Sequence, residues 1–144
     1  MAHLRVEILT PEAALFGGDA TALVATSSIG DFTVMAQHAP MVGDIVPSVV
    51  RVQTTEGETG YCVHGGFYQV DGNLEDTTAT VLAGVAEPVT AIDAARAERA
   101  RLEAEAFLNG PGARDDADPE EVAAARASLA RAELRLSALN YLAR

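Results

Sequence analysis

From Leu4 to Ala86 the chain alternates apolar and polar residues with a period of two. Leu4, Val6 and Ile8 alternate with Arg5 and Glu7, Leu23 and Ala25 with Val24 and Thr26, and Val50, Val52 and Thr54 with Arg51 and Gln53. Successive side chains of a strand point to opposite faces, so the pattern predicts half-buried strands. Gly17-Gly18-Asp19, Gly43-Asp44, Glu56-Gly57, Gly65-Gly66 and Asp71-Gly72-Asn73 punctuate the runs and read as turns. Short strands at regular spacing with such turns predict an antiparallel β-sandwich or barrel. No segment in this region supplies the helices that βαβ crossovers need, which argues against a doubly wound sheet.

The period changes near Thr90. Thr90-Ala91-Ile92-Asp93 reads as a capping box, with Thr90 as N-cap and Asp93 three residues on. An Ala/Arg/Glu-rich helical stretch follows to Leu108 and is ended by Asn109-Gly110-Pro111-Gly112. Asp118-Pro119-Glu120-Glu121 opens a second helix, with Asp as N-cap, Pro at the first helical position and acids at the positive end of the dipole. Its apolar stripe, Val122, Ala125, Leu129, Ala132, Leu136 and Leu139, steps by three and four as a heptad seam does. The first helix offers Ile92, Ala95, Arg99, Leu102 and Ala106. Folded antiparallel, these pair 92 with 136, 95 with 132, 99 with 129, 102 with 125 and 106 with 122. The prediction is therefore β + α: an N-terminal antiparallel β-sandwich over 1–88 and a C-terminal antiparallel two-helix hairpin over 89–144. The seam is rich in alanine, which has one methyl to bury against the about 1.5–3 kcal/mol of a buried Leu or Val. Both a compact alanine hairpin and a hairpin loose enough to open fit that composition.

Charge separates the same two regions. Residues 1–90 hold 2 arginines against 11 acids, a net of −9, and residues 91–144 hold 8 arginines against 10 acids, a net of −2. The chain has no lysine, and its formal net charge is −11. A chain this acidic repels phosphate backbones, so nucleic acid is not an expected partner. Its apolar runs fall short of the about 20 residues that a membrane span needs, so no direct membrane insertion is expected. The N-terminus reads directly into the alternating pattern, without a signal-peptide pattern. Cys62 stands alone, so no intrachain disulfide can form.

Catalytic chemistry is hard to assemble from these residues. The histidines are His3, His38 and His64. Cys62 and His64 lie two apart in a strand-like run and share a face, but two ligands do not make a zinc site, and there is no CxxC or HxxxH. No metal and no catalytic residue is expected. GxSxG, Walker A and GxGxxG patterns are absent, so the chain does not read as an enzyme by itself. The hairpin register does bring Arg131 and Arg135, one turn apart, opposite Asp93 and Arg96 at the start of the first helix. Three arginines at a helix N-terminus fit an anion or phosphate. Ion pairing of Asp93 with Arg131 or Arg135 accounts for the same pattern.

Several local motifs run in order along nearly the whole chain. They are Gly30-Asp31-Phe32, Gln37-His38-Ala39-Pro40-Met41, Gly65-Gly66-Phe67-Tyr68-Gln69-Val70, Thr80-Val81-Leu82-Ala83 and Ile92-Asp93-Ala94-Ala95-Arg96-Ala97. Together with the sandwich-plus-hairpin plan they resemble the epsilon subunit of bacterial F-type ATP synthases. The chain departs from that family's pattern at Gln37, where a Gly usually precedes His-Ala-Pro, and at Thr33, Ala36 and Gly84.

The resemblance implies a non-catalytic rotor subunit of the central stalk, peripheral at the cytoplasmic face of the bacterial cell membrane. Its implied partners are the gamma subunit, the c-ring and the alpha/beta catalytic hexamer. Gly30, Asp31 and His38 match the segment that faces the c-ring. The hairpin is implied to fold down or to extend toward the hexamer, where it blocks ATP hydrolysis. No cofactor is required, but in some members regulatory ATP binds the folded hairpin. The corresponding residues here are Glu87, Asp93, Arg96, Arg131 and Arg135, while a further arginine of that site falls at Glu103.

Overall fold

The computed structural model describes residues 2–142. They form ten strands and two long helices. The strands are β1 (His3–Leu9), β2 (Ala14–Ala20), β3 (Ala22–Ser27), β4 (Gly30–Val34), β5 (Met41–Ile45), β6 (Ser48–Thr54), β7 (Gly57–Val63), β8 (Gly66–Gly72), β9 (Asp76–Ala83) and β10 (Ala86–Pro88). The helices are α1 (Ala94–Asn109) and α2 (Pro119–Leu142). The chain divides into one compact unit that ends at Thr90 and another that begins at Ala91.

The first unit is a sandwich of two five-stranded sheets, ordered β2-β1-β9-β8-β5 and β10-β7-β6-β3-β4. The alternation works as expected. Leu4, Val6 and Ile8 of β1, Val70 of β8 and Val81 of β9 meet Leu23 of β3, Val34 of β4, Val50 and Val52 of β6 and Val63 of β7 in one buried core. Fully burying side chains of this kind is worth about 1.5–3 kcal/mol each, which makes the core the main source of the unit's stability. The pairings are antiparallel except one: β1 lies parallel to β9. With its own core and hydrogen-bonded strands, a fragment of residues 1–90 should fold alone. Far-ultraviolet circular dichroism should show a β-rich spectrum and a cooperative melt, and a disordered spectrum would refute this independence.

Two glycine turn signals prove to be strand interior. Gly17-Gly18-Asp19 lies within β2, paired to Glu7, Val6 and Arg5 of β1. Gly43 lies within β5, directly across from Tyr68. A Cβ on Gly43 would sit 2.6 Å from the Tyr68 ring, so Gly43 provides close approach rather than a bend. That ring packs on Phe32 with centroids 4.4 Å apart, and its hydroxyl donates to Met41 Sδ at 3.1 Å. Gly65 is a true turn: its φ of +92° lies where glycine is favoured, between β7 and β8.

The helical unit keeps its outline and changes two details. The N-cap of α1 is Asp93, not Thr90: the Asp93 carboxylate accepts from the Arg96 backbone N–H at 3.1 Å. Val89–Ala91 instead makes a short 3-10 turn, so the capping-box assignment lies three residues too early. Asp118 does accept from the Glu120 N–H at 2.9 Å and Pro119 opens α2, as the sequence predicts. The α2 stripe also stands, with Ala132 buried and Val122, Ala125, Leu129, Leu136 and Leu139 half-buried.

The α1 stripe does not. Ala95, Arg99, Leu102 and Ala106 are exposed; Ala97 and Ala104 are buried, and Glu98, Ala100, Arg101, Glu105, Phe107 and Leu108 are half-buried. Alanines occupy every face of α1, so bulk decides the phase. Phe107 and Leu108 together outweigh Leu102, and exposing Arg99 avoids burying a charge. The pairs 95 with 132, 99 with 129, 102 with 125 and 106 with 122 therefore do not describe the packing.

Arg101 leaves its charge on the helix surface. Its guanidinium reaches Glu98 and, at 2.8 Å, Glu105, one turn away on either side. The hydrogen bond from Arg101 holds the Glu98 carboxyl below its ordinary value. The Glu98–Arg101 arm of the clasp is thus complete at neutral pH and is lost as pH falls through that lowered value.

Candidate functional site

Three regions carry the residues singled out in the sequence. The first is the pair of loops flanking β4. Gly30 opens β4 after a tight hairpin, Ser27 to Gly30, whose tip residue Ile29 is 98% exposed. Asp31 accepts from the Thr26 hydroxyl at 2.8 Å. Ser28 donates through N–H and Oγ to the Asp44 carboxylate at 3.1 and 3.0 Å, which ties the hairpin to β5. His38 follows the other end of β4, its ring Nδ1 2.7 Å from the Ala39 carbonyl oxygen. Gly30 and Asp31 thus begin the five-residue strand β4, roughly 13 Å long, and His38 follows its far end. Ile29 escaped the sequence reading, although an apolar residue in a Ser-Ser-Ile-Gly turn was a visible signal.

The loop before His38 is held in an unusual way. Gln37 has φ +72°, the left-handed region that non-glycine residues rarely enter. Its backbone N–H donates to the buried Thr77 hydroxyl at 2.9 Å, which helps hold that conformation. Thr77→Val keeps the shape and strands this donor. It should cost about 1–3 kcal/mol in urea unfolding and shift the His38 ring resonances. Unchanged stability would show that the bond does not hold the loop.

The second region is the outer face of the sheet containing β5, β8 and β9. Phe67 of β8 lies directly across from Leu82 of β9 and one diagonal step from Val42 of β5. These side chains are 63%, 47% and 75% exposed, a contiguous apolar surface outside the core. Surfaces of this kind mark contact sites when they are not isolated residues.

The third region is the set Glu87, Asp93, Arg96, Arg131 and Arg135. Glu87 belongs to the sandwich unit, on β10, opposite Cys62 of β7. Asp93 and Arg96 stand at the head of α1, with Asp93 serving as its cap. Arg131 and Arg135 are one turn apart on α2, Arg131 exposed and Arg135 half-buried. Among the described residues Asp93 makes no ion pair with Arg131. Ala95 and Arg99, which flank Arg96 on the expected seam, are exposed, so the seam face does not carry the grouping and it rests on the family motif. Glu103 is exposed on α1.

Beside Glu87 the structure adds something the spacing could not reveal. His64 Nε2 lies 3.7 Å from Cys62 Sγ and 3.5 Å from Glu87 Oε1. The sequence showed the Cys62–His64 pair, and the third group arrives from 23 residues on through the β7–β10 pairing.

Comparison with known proteins fits this architecture. A family described as ATP synthase, delta/epsilon chain, beta-sandwich domain matches residues 3–89. The ATP synthase epsilon chain of Laribacter hongkongensis is 38% identical over 146 residues, covering 100% of this chain and 98% of the relative. The chain belongs to the ATP synthase epsilon chain family. The epsilon chain of Stenotrophomonas maltophilia K279a, 34% identical, likewise spans 99% of this chain and 96% of its own length, so the kinship extends through the hairpin. Among solved structures, a chain of the Euglena gracilis mitochondrial ATP synthase OSCP/F1/c-ring assembly has a TM-score of 0.77 at 20% identity. It covers 96% of this chain and 82% of that one. A chain of the Tetrahymena thermophila mitochondrial ATP synthase central stalk/c-ring gives 0.53 at 16%, covering 94% and 96%. At these identities the likeness is one of fold. Gln37, one of the departures from the epsilon pattern, has a left-handed φ, a conformation that glycine adopts without steric cost.

Proposed function

We propose that the chain is the epsilon subunit of a bacterial F-type ATP synthase, a non-catalytic part of the rotating central stalk. The observation that carries this reading is the match to epsilon chains along the full length, sandwich and hairpin together. In it the sandwich docks on the gamma subunit through the Val42/Phe67/Leu82 face. The Ile29–Asp31 hairpin and the His38 loop meet the polar loops of the c-ring. The complex sits at the cytoplasmic face of the membrane and couples proton flow to ATP synthesis. No helix among the described residues is long and apolar enough to cross a bilayer, which suits a peripheral position.

The hairpin is the regulatory part. Its α2 stripe buries alanine and leaves its leucines half-covered, so packing holds it weakly and a ligand worth a few kcal/mol can bias its position. Extended, it reaches the alpha/beta hexamer and blocks hydrolysis. Regulatory ATP held by Asp93, Arg96, Arg131 and Arg135 favours the folded form of the hairpin. The test uses the cognate alpha, beta and gamma subunits. Added full-length chain should slow ATP hydrolysis, and a chain ending at Thr90 should bind without slowing it. Equal rates with both would refute hairpin regulation.

A further inference from the structure

Outside these surfaces one cluster has a chemistry of its own. In the antiparallel pair β7–β10, Glu87 stands directly across from Cys62. His64 lies two residues beyond Cys62, and its backbone N–H donates to the Val85 carbonyl at 3.1 Å, continuing the ladder. Opposed residues and residues two apart share a face of a sheet, so all three side chains project together. They do so on the face opposite Tyr61 and Val63, which belong to the core. Cys62 is fully buried, the His64 side chain is 6% exposed and that of Glu87 27%.

We propose that Cys62, His64 and Glu87 form a binding site for a divalent transition-metal ion of the zinc class. The ligand atoms already have the right spacing. A zinc ion bonds sulfur at about 2.3 Å and nitrogen or oxygen at about 2.0–2.2 Å, and tetrahedral angles then set S···N edges of about 3.6 Å and N···O edges of about 3.4 Å. The observed edges are 3.7 and 3.5 Å, and the three atoms all lie within 4.8 Å of one another. Both edges through His64 Nε2 match a tetrahedral ion, and a rotation of the partly exposed Glu87 carboxylate brings its oxygen onto the third corner.

Two features favour a metal over a thiol–imidazole–carboxylate catalytic relay. A relay needs the thiol on one ring nitrogen and the carboxylate on the other. Here both approach Nε2. One proton on Nε2 bridges to only one of them in a good hydrogen bond, whereas one cation serves all three ligands. The Cys62 sulfur is also buried, where a substrate has poor access. The donor set selects the ion: thiolate and imidazole suit zinc-class metals, while magnesium and calcium take oxygen ligands. Three protein ligands leave a fourth corner for water, and the partly exposed Glu87 provides the approach. All three ligands belong to the sandwich unit; Glu87 is also one of the residues that the family resemblance assigns to nucleotide binding, so metal binding is read on the nucleotide-free chain.

The full-length, metal-free chain should be titrated with Co2+ at neutral pH and then with Zn2+. One equivalent of Co2+ should produce tetrahedral ligand-field bands and a near-ultraviolet thiolate-to-cobalt charge-transfer band, and Zn2+ should abolish both. Cys62→Ser should remove the charge-transfer band. His64→Gln and Glu87→Gln should each weaken Zn2+ binding by at least about 100-fold, since loss of even an outer-shell partner costs about 10–100-fold. Circular dichroism establishes that each variant is folded, and Glu87→Gln, at a partly exposed position, keeps the test open if Cys62→Ser is not. Absence of binding, a cobalt complex without the charge-transfer band, or Zn2+ affinity unchanged in the folded variants would overturn the site.

Discussion

Phe67→Asp should abolish stable capture of the chain by the cognate gamma subunit while leaving the sandwich folded. Phe67 is 63% exposed, so an aspartate there meets water in the free chain and disturbs no core contact. In a gamma complex the same carboxylate would be desolvated among Leu82 and Val42 with no partner. Aromatic anchors at the centre of an interface carry more than about 2 kcal/mol each, and the added charge enlarges the loss. Affinity should therefore fall by at least about thirtyfold. Val42→Asp on β5 should act in the same direction, because its side chain belongs to the same face. Surface-plasmon measurements against immobilised gamma read this out, with the melting curve of each variant as the folding control. Full affinity in folded Phe67→Asp would move the gamma contact to another face.

Arg131→Ala and Arg135→Ala should each weaken ATP binding to the isolated chain by about one to two orders of magnitude. A charge-assisted hydrogen bond to phosphate is worth about 1.5–3 kcal/mol, which is that range of affinity. The two arginines stand one helical turn apart on α2, a spacing that lets both reach one triphosphate. Isothermal titration of the native chain supplies the reference. If the arginines serve only the surface of α2, their removal costs about 0–1 kcal/mol of stability and there is no ATP heat to lose. No heat at millimolar ATP with a folded hairpin would eliminate the nucleotide site and leave the family assignment untouched.

The period-two alternation gave the core positions of three strands: Leu4, Val6 and Ile8 of β1, Leu23 and Ala25 of β3, and Val50 and Val52 of β6. It did so because strand faces translate directly into sequence spacing. Gly43 was misread as a turn because the reason for it, the Tyr68 ring across the β5–β8 pair, is a tertiary contact 25 residues away. The first helix was misphased for a related reason. Alanine-rich helices carry small residues on every face, so their apolar stripe is set by a few large side chains, here Phe107 and Leu108, rather than by periodicity. The capping error followed from treating Asp93 as the acid of a box when it is itself the cap. The Cys62/His64/Glu87 cluster was two-thirds visible, and its third member needed the β7–β10 register. The Gly30, Asp31 and His38 positions were legible only as a family resemblance, and the structure places them at the two ends of β4.

Membership of an ATP synthase rotor is tested by purifying the tagged full-length chain from its native membranes in mild detergent and identifying by mass spectrometry what remains bound. The gamma, alpha, beta and c subunits should be recovered together in a complex that hydrolyses ATP, with gamma retained longest as the complex is taken apart. Recovery of the chain alone, or with a set of proteins that lacks the gamma subunit, would contradict it.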